Sequence, residues 1–156
     1  MKDAEYESAV EKYADVVYRA ALSVCRNKAD AEDVVQDTFL KLYTAEADFA
    51  DDEHLRRWLI RVAVNDGKNR LKSAWRRNVC YLDELEHEPA QESEERELRQ
   101  IIGALPAKYS AVVHLYYYEG YPCAEIAEIL GISESNVQTR LDRARKMLKN
   151  RLEDSR

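Results

Sequence analysis

Pro122 to Leu148 reads PCAEIAEILGISESNVQTRLDRARKML, and the fold turns on how this stretch is read. In its first part Ile126, Ala127 and Leu130 recur at helical spacing and fall on one face. Gly131 follows, a residue that takes positive φ without strain, so the helix stops and the chain turns there. Ser133 offers a side-chain cap to a second helix. With Val137 at zero on a wheel of about 100° per residue, Leu141, Ala144 and Leu148 gather beside it as a core stripe. Ser135, Thr139, Asp142, Arg143 and Lys146 lie opposite, flanked by Asn136 and Gln138. Helix, short glycine turn, helix is the helix-turn-helix pattern. Its second helix enters the major groove and reads bases near its N-terminal end. Gln, Asn and Arg suit that task because they reach base edges with paired hydrogen bonds, while Ser and Thr add single ones. The same residues also describe a helical hairpin with a solvated basic face, and this stretch alone leaves both readings open.

The charge balance bears on that choice. The chain of 156 residues holds 24 Lys and Arg against 30 Asp and Glu, a formal net charge of −6. The excess is local: residues 1–78 sum to −1, 79–100 to −6 and 101–156 to +1. Glu134–Arg151 carries 6 bases and 2 acids, so the second helix is basic within an acidic protein. The acidic middle, VCYLDELEHEPAQESEERELRQ, has little apolar periodicity and contains Pro89, which fits a linker. We expect an all-α protein of two small helical domains, residues 1–78 and 96–156, joined by an acidic linker over 79–95. Other classes are disfavoured. No apolar run approaches membrane-spanning length. Acids within the first turns argue against a secretory leader, so a cytoplasmic location without membrane insertion is expected. Cys25, Cys80 and Cys123 are scattered and form no ligand spacing with His54, His87 or His114, so neither metal nor cofactor is expected. No P-loop, HExxH or nucleophile motif points to an enzyme.

The N-terminal half is also helical by pattern. Val10, Tyr13, Val17, Ala21 and Val24 share one face of a first helix. Asp30, with Asp33 three residues on, is the expected cap of a second. On that helix Val34, Val35, Thr38, Phe39 and Leu42 form the buried side, and Leu40 stands opposite among Asp33, Gln36 and Asp37. A leucine among carboxylates reads either as a docking patch or as one ordinary exposed leucine. Residues 44–53, TAEADFADDE, read as a loop. His54–Arg77 then holds 8 bases and 1 acid, with Arg57, Arg61, Lys68 and Lys72 in one stripe beside Asn65 and Asn69. Asp30–Glu53, with 9 acids and 1 base, precedes it. Two surfaces of opposite sign imply either two separate tasks, one of them phosphate binding, or mutual pairing.

Three stretches together, DAEDVVQDTFLKLY, WLIRVAVNDGKNRLK and the helix-turn-helix preceded by Leu105-Pro106, resemble the extracytoplasmic-function sigma factors of bacteria. The resemblance covers roughly Glu5–Leu152 and is weakest in the linker. It implies a transcription initiation factor whose N-terminal sigma domain 2 and C-terminal sigma domain 4 divide the work. Asp33, Gln36, Asp37 and Leu40 would dock on the clamp helices of the RNA polymerase core β′ subunit. Arg61, Asn65, Lys68, Asn69 and Lys72 would line the melted strand of the minus-ten element, with Phe49 as a wall for an extruded base. Gln138, Thr139 and Arg143 would face bases of the minus-thirty-five element. Ser135, Asn136, Arg140 and Lys146 would hold its phosphates. The partners implied are polymerase core, promoter DNA and an anti-sigma factor. The chain departs from the family where Gln138 and Asn136 stand, so the promoter sequence does not carry over, and Asp142 on the DNA side would repel phosphate or accept from cytosine. A free-standing helix-turn-helix regulator, dimeric and using the Leu40 face to self-associate, is the competing reading of the same residues.

Overall fold

A computed structural model of the chain describes residues 2–76, 98 and 100–154, with side chains omitted for 74–76. The expected linker over 79–95 lies outside them, as do Cys80 and the side chain of Trp75.

Three long helices make the N-terminal unit: α1 (Asp3–Cys25), α2 (Lys28–Thr44) and α3 (Asp52–Arg76). The apolar positions of α1 recur at helical spacing, and Tyr13, Val17, Ala21 and Val24 are buried. Helix α1 ends where Arg26 takes φ 61°, and its N–H donates to the Leu22 carbonyl. The cap of α2 is Asn27, not the expected Asp30: the Asn27 side chain accepts from the Asp30 N–H at 2.8 Å. The tight turn after α1 leaves only two residues, Arg26 and Asn27, between the helices, so the cap falls three residues earlier than periodicity alone indicates. Asp51 caps α3 by accepting from the His54 N–H at 2.8 Å. Helices α1 and α3 cross at Gly67, where an added methyl would overlap Val24 Cγ2. That glycine costs helix propensity but permits a close approach of the two helices.

The C-terminal unit follows Pro106. Helix α4 (Ala107–Val113) widens into a π turn over His114–Tyr118. Gly120, at φ 75°, follows it. Then come α5 (Cys123–Leu130), the turn at Gly131 with φ 69°, and α6 (Glu134–Asp154). Ser133 Oγ accepts from the Asn136 N–H at 3.0 Å and caps α6. Val137, Leu141 and Ala144 are buried, and Leu148 packs at the edge of a small cluster with Leu105, Tyr109 and Val113.

The two units share one continuous buried core. Leu59, Ile60 and Ala63 of α3 belong to the same cluster as Leu115, Ile126 and Ile129.

Candidate functional site

The outer face of α2 is assembled as periodicity predicts. Val34, Thr38, Phe39 and Leu42 are buried. Leu40 is 60% exposed, and Tyr43 beside it, which sequence reading passed over, is 56% exposed. Tyr43 packs edge-on against Tyr6 of α1, with ring centroids 5.1 Å apart, so it is held in place while remaining accessible. Gln36 is exposed on the same helix. Asp33 and Asp37 are engaged: Arg70 of α3 reaches Asp37 Oδ2 at 2.5 Å and Asp33 Oδ2 at 3.6 Å, and its Nε lies 3.5 Å from Asp66. Pairing between the acidic and basic surfaces is therefore real, and it is concentrated on one arginine.

Helix α3 is more divided than its stripe predicts. Arg61, Asn65, Asn69 and Lys72 are exposed, and Lys68 is half-buried. Burial, and then the charges of Arg140 and Lys72, push the Lys68 ammonium below its ordinary range. Among the described residues no carboxylate pairs with Arg61, Lys68 or Lys72. Arg57, predicted as part of the same stripe, points elsewhere: it binds Glu125 at 2.9 Å and lies 3.6 Å from Glu128, both on α5, and 3.5 Å from Glu53 on its own helix. It is a structural cation.

Phe49, in the loop between α2 and α3, is edge-on to His54 at 5.3 Å and to Trp58 at 5.5 Å. Phe49 also lines an open groove of about 720 Å³, with Lys12, Tyr13, Asp48, Asp51 and Asp52. Lys12 is held by Asp52 at 2.8 Å, which leaves the groove acidic around an aromatic wall.

On α6 the wheel holds closely. Ser135, Asn136, Gln138, Thr139, Asp142, Arg143 and Lys146 are all exposed, and Arg140 is half-buried at the seam with α3. Thr139 Oγ1 donates to the Ser135 carbonyl at 3.0 Å, and Arg140 Nε donates to Asn136 Oδ1 at 3.1 Å. Asp142, the sequence's anomaly, accepts from Arg145 Nη1 at 3.2 Å, which offsets its charge on the basic face. Arg145 Nε donates to Tyr117 Oη at 2.7 Å and ties α6 to the π turn. Burial pushes the Cys25 thiol up to about 11, so it stays protonated and unreactive. Among the described residues no group of His, Cys, Asp or Glu is arranged to hold a metal, and no helix is long and apolar enough to cross a membrane.

Comparison with known proteins gives these surfaces a context. The chain matches the family model for sigma-70 region 2 over residues 9–77 and that for sigma-70 region 4 over residues 95–148. It is 31% identical over 153 residues to the ECF RNA polymerase sigma factor SigL of Mycobacterium tuberculosis, covering 92% of this chain and 86% of that one. It is 31% identical over 148 residues to the ECF RNA polymerase sigma factor SigM of Bacillus subtilis, covering 89% and 90%. Among solved structures, CnrH in complex with the cytosolic domain of CnrY superposes with a TM-score of 0.75 at 26% identity, covering 99% of this chain and 92% of that one. The sigma factor RpoE from Bartonella quintana, in complex with the anti-sigma factor NepR, shares the fold at a TM-score of 0.76 and 20% identity, covering 97% and 99%.

Proposed function

This chain belongs to the sigma-70 family as a sigma factor of the extracytoplasmic-function type, and from that premise we propose which of its surfaces performs each part of transcription initiation. As a sigma factor it is an initiation factor and not an enzyme, and it directs RNA polymerase core to promoters and to their melting. In our reading residues 1–78 form domain 2, 79–95 a linker and 96–156 domain 4.

Helix α2 is the docking face for the core β′ clamp helices. The observation that carries this is the pair of large apolar side chains, Leu40 and Tyr43, standing 60% and 56% exposed on a helix whose opposite side is fully packed. Gln36, Asp33 and Asp37 form its polar rim. Arg70 holds the two carboxylates in place, which reduces the side-chain entropy lost on docking.

The minus-ten strand runs along α3. Asn65 and Asn69 offer amide groups to unpaired bases, while Arg61, Lys68 and Lys72 meet the backbone. The groove beside Phe49 receives an extruded base. Its aromatic wall stacks, and Asp48 and Asp51 accept from exocyclic amines while turning phosphate away. Melting follows because these groups bind unpaired bases in preference to duplex, so the open strand is the favoured state. On α6, Gln138, Thr139 and Arg143 read minus-thirty-five bases, and Ser135, Asn136, Arg140 and Lys146 set the register on phosphates. The protein acts in the cytoplasm, where core enzyme and promoter are. An anti-sigma protein controls it, a reading supported by its likeness to CnrH, which was solved with the cytosolic domain of CnrY.

The test is titration of labelled full-length protein with bacterial RNA polymerase core, beside Leu40→Ala and the triple variant Asp33→Ala/Gln36→Ala/Leu40→Ala. The docking assignment expects Leu40→Ala to lose about tenfold in affinity, close to 1.4 kcal/mol, and the triple variant to lose more. Unchanged affinity in the triple variant moves the docking face off α2.

A further inference from the structure

We infer that Arg70 of α3, a residue assigned to neither docking nor DNA, is a positioning residue for polymerase docking: it sets the two carboxylates of the α2 rim in the posture that core receives. The inference rests on the assignment of the Leu40 face of α2 to docking.

Asp33 and Asp37 stand one turn apart on α2, so their carboxylates are neighbours and repel. On a wheel of about 100° per residue Arg70 lies opposite the stripe of Arg61, Lys68 and Lys72, so it turns away from the strand assigned to that stripe and toward α2. Its planar fork serves the two carboxylates with separate nitrogens. Nη2 donates to Asp37 Oδ2 at 2.5 Å, and Nη1 lies 3.6 Å from Asp33 Oδ2. Both contacts fall on Oδ2, so Oδ1 of each carboxylate stays outside them. Asp66, one turn before Arg70 on α3, faces Nε at 3.5 Å and braces the guanidinium from behind. Three carboxylates around one guanidinium leave a local charge of −2 beside the exposed Leu40 and Tyr43, which suits a basic group on the partner.

Exposure separates this cluster from a structural one. At Glu119 the chain also gathers charges from distant elements: Arg19 Nε donates to Oε1 at 3.1 Å, Arg56 Nη2 donates to Oε2 at 2.7 Å, and His114 Nε2 lies 3.2 Å from Oε1. That side chain is 3% exposed and joins packed elements. Asp33 and Asp37 are 58% and 45% exposed, where ion pairs add little to the fold. What Arg70 does there is remove rotamer freedom from two side chains of the docking face. Freedom already lost is not lost again on docking, and an inner oxygen already paired is not stranded when the interface closes over the rim. Arg70 also cancels one negative charge, which weakens attraction for a basic partner. Salt screens that attraction at the exposed rim, whereas the desolvated contact is not screened, so positioning outweighs it.

The experiment measures association and dissociation of the full chain with bacterial RNA polymerase core. Wild type is compared with Arg70→Gln, Arg70→Lys, Leu40→Ala, Asp33→Asn/Asp37→Asn, and Arg70→Gln added to that double variant, with urea unfolding as the check on folding. Arg70→Gln is expected to bind several-fold more weakly through faster dissociation, with little change in association rate. Arg70→Lys keeps the charge without the fork, so it is expected to recover the smaller part of that loss, and it keeps the proposal testable if Arg70→Gln fails to fold. In the Asp33→Asn/Asp37→Asn background Arg70→Gln is expected to add no further loss, a result that an arginine needed only for the fold would not give. Unchanged or tighter binding by Arg70→Gln overturns the positioning role, as does full recovery by Arg70→Lys. The docking face stands in either case if Leu40→Ala still weakens binding. Wild-type affinity in Leu40→Ala and Asp33→Asn/Asp37→Asn alike removes the docking face, and the role of Arg70 with it.

Discussion

Helices α3 and α6 are the two basic helices of this protein, and they behave differently for one reason. Helix α6 packs along one side, against α4 and α5, so its outer residues remain where a helical wheel puts them, exposed from Ser135 to Lys146. Helix α3 lies among α1, α2 and α5, and its cations are shared out among those neighbours. Arg56 and Arg57 cross to the C-terminal unit, and Arg70 turns to the carboxylates of α2. Lys68 is half-buried, and Asn65, Asn69, Arg61 and Lys72 remain exposed. Equal charge on two helices is therefore not equal availability: each packed neighbour removes part of the stripe.

The largest expected effect tests how tightly α3 is bound into the seam. Burial would raise the Glu119 carboxyl, but hydrogen bonds and charge from His114 and Arg19 outweigh it and hold it at about 2, against an ordinary 4.5. A carboxyl depressed by folding stabilises the native state above pH 4.5, and that contribution drains away as pH falls toward 2. At about 1.4 kcal/mol per pH unit, the upper limit is about 3 kcal/mol. Urea unfolding of wild type and Glu119→Gln across pH 5 to 2 is expected to show the gap between them narrowing over that window. A constant gap would mean that the ion-pair node adds nothing, and that apolar packing alone joins α3 to the C-terminal unit.

The next effect is set at the crossing of α1 and α3. Gly67→Ala gains about 1 kcal/mol of helix propensity. The new methyl overlaps Val24, which is fully buried and has nowhere to move. Overpacking of this kind costs about 1–3 kcal/mol, so after the propensity gain we expect a net loss of about 1 kcal/mol. Stabilisation instead would show that the helices can slide apart. On α6, Lys146→Ala is the matched control: an exposed side chain with no packed neighbour is expected to leave stability within about 0.5 kcal/mol.

This contrast also explains what was legible in the sequence. The helix-turn-helix was readable to single residues because its signals are local: a positive-φ glycine, a Ser133 cap and a stripe of Val137, Leu141 and Ala144. Leu40 was readable because one residue on the wrong side of one helix needs no tertiary knowledge. Tyr43 was missed because aromatic residues seldom mark a polar face, and its accessibility depends on how Tyr6 is placed on another helix. The Glu119 node was invisible. Arg19, Arg56, His114 and Glu119 are spread over a hundred residues, and the π turn that aims Glu119 has no periodicity of its own. The wheel put Arg57 in the basic stripe but could not show its pairing with Glu125 and Glu128, because it records direction and not what waits there. The Asn27 cap was missed because the turn after α1 is shorter than expected.

The smallest effects divide the face of α6 itself. Arg143 is assigned to a base edge and Lys146 to a phosphate. Losing a base contact costs about 1–3 kcal/mol of discrimination, but only on the matched sequence. Losing a phosphate contact weakens all sequences alike and lowers the salt slope by about one. With polymerase holoenzyme on a promoter duplex, Arg143→Ala is expected to lose affinity for that promoter and little for a scrambled one. Lys146→Ala is expected to lose slightly and equally on both, with a shallower dependence on salt. Asp142 serves as the internal check. Its carboxylate is already held by Arg145, so Asp142→Asn is expected to change the salt slope less than Lys146→Ala does. A larger change would show that Arg145 lets go of Asp142 when DNA arrives, and that the pair belongs to the interface.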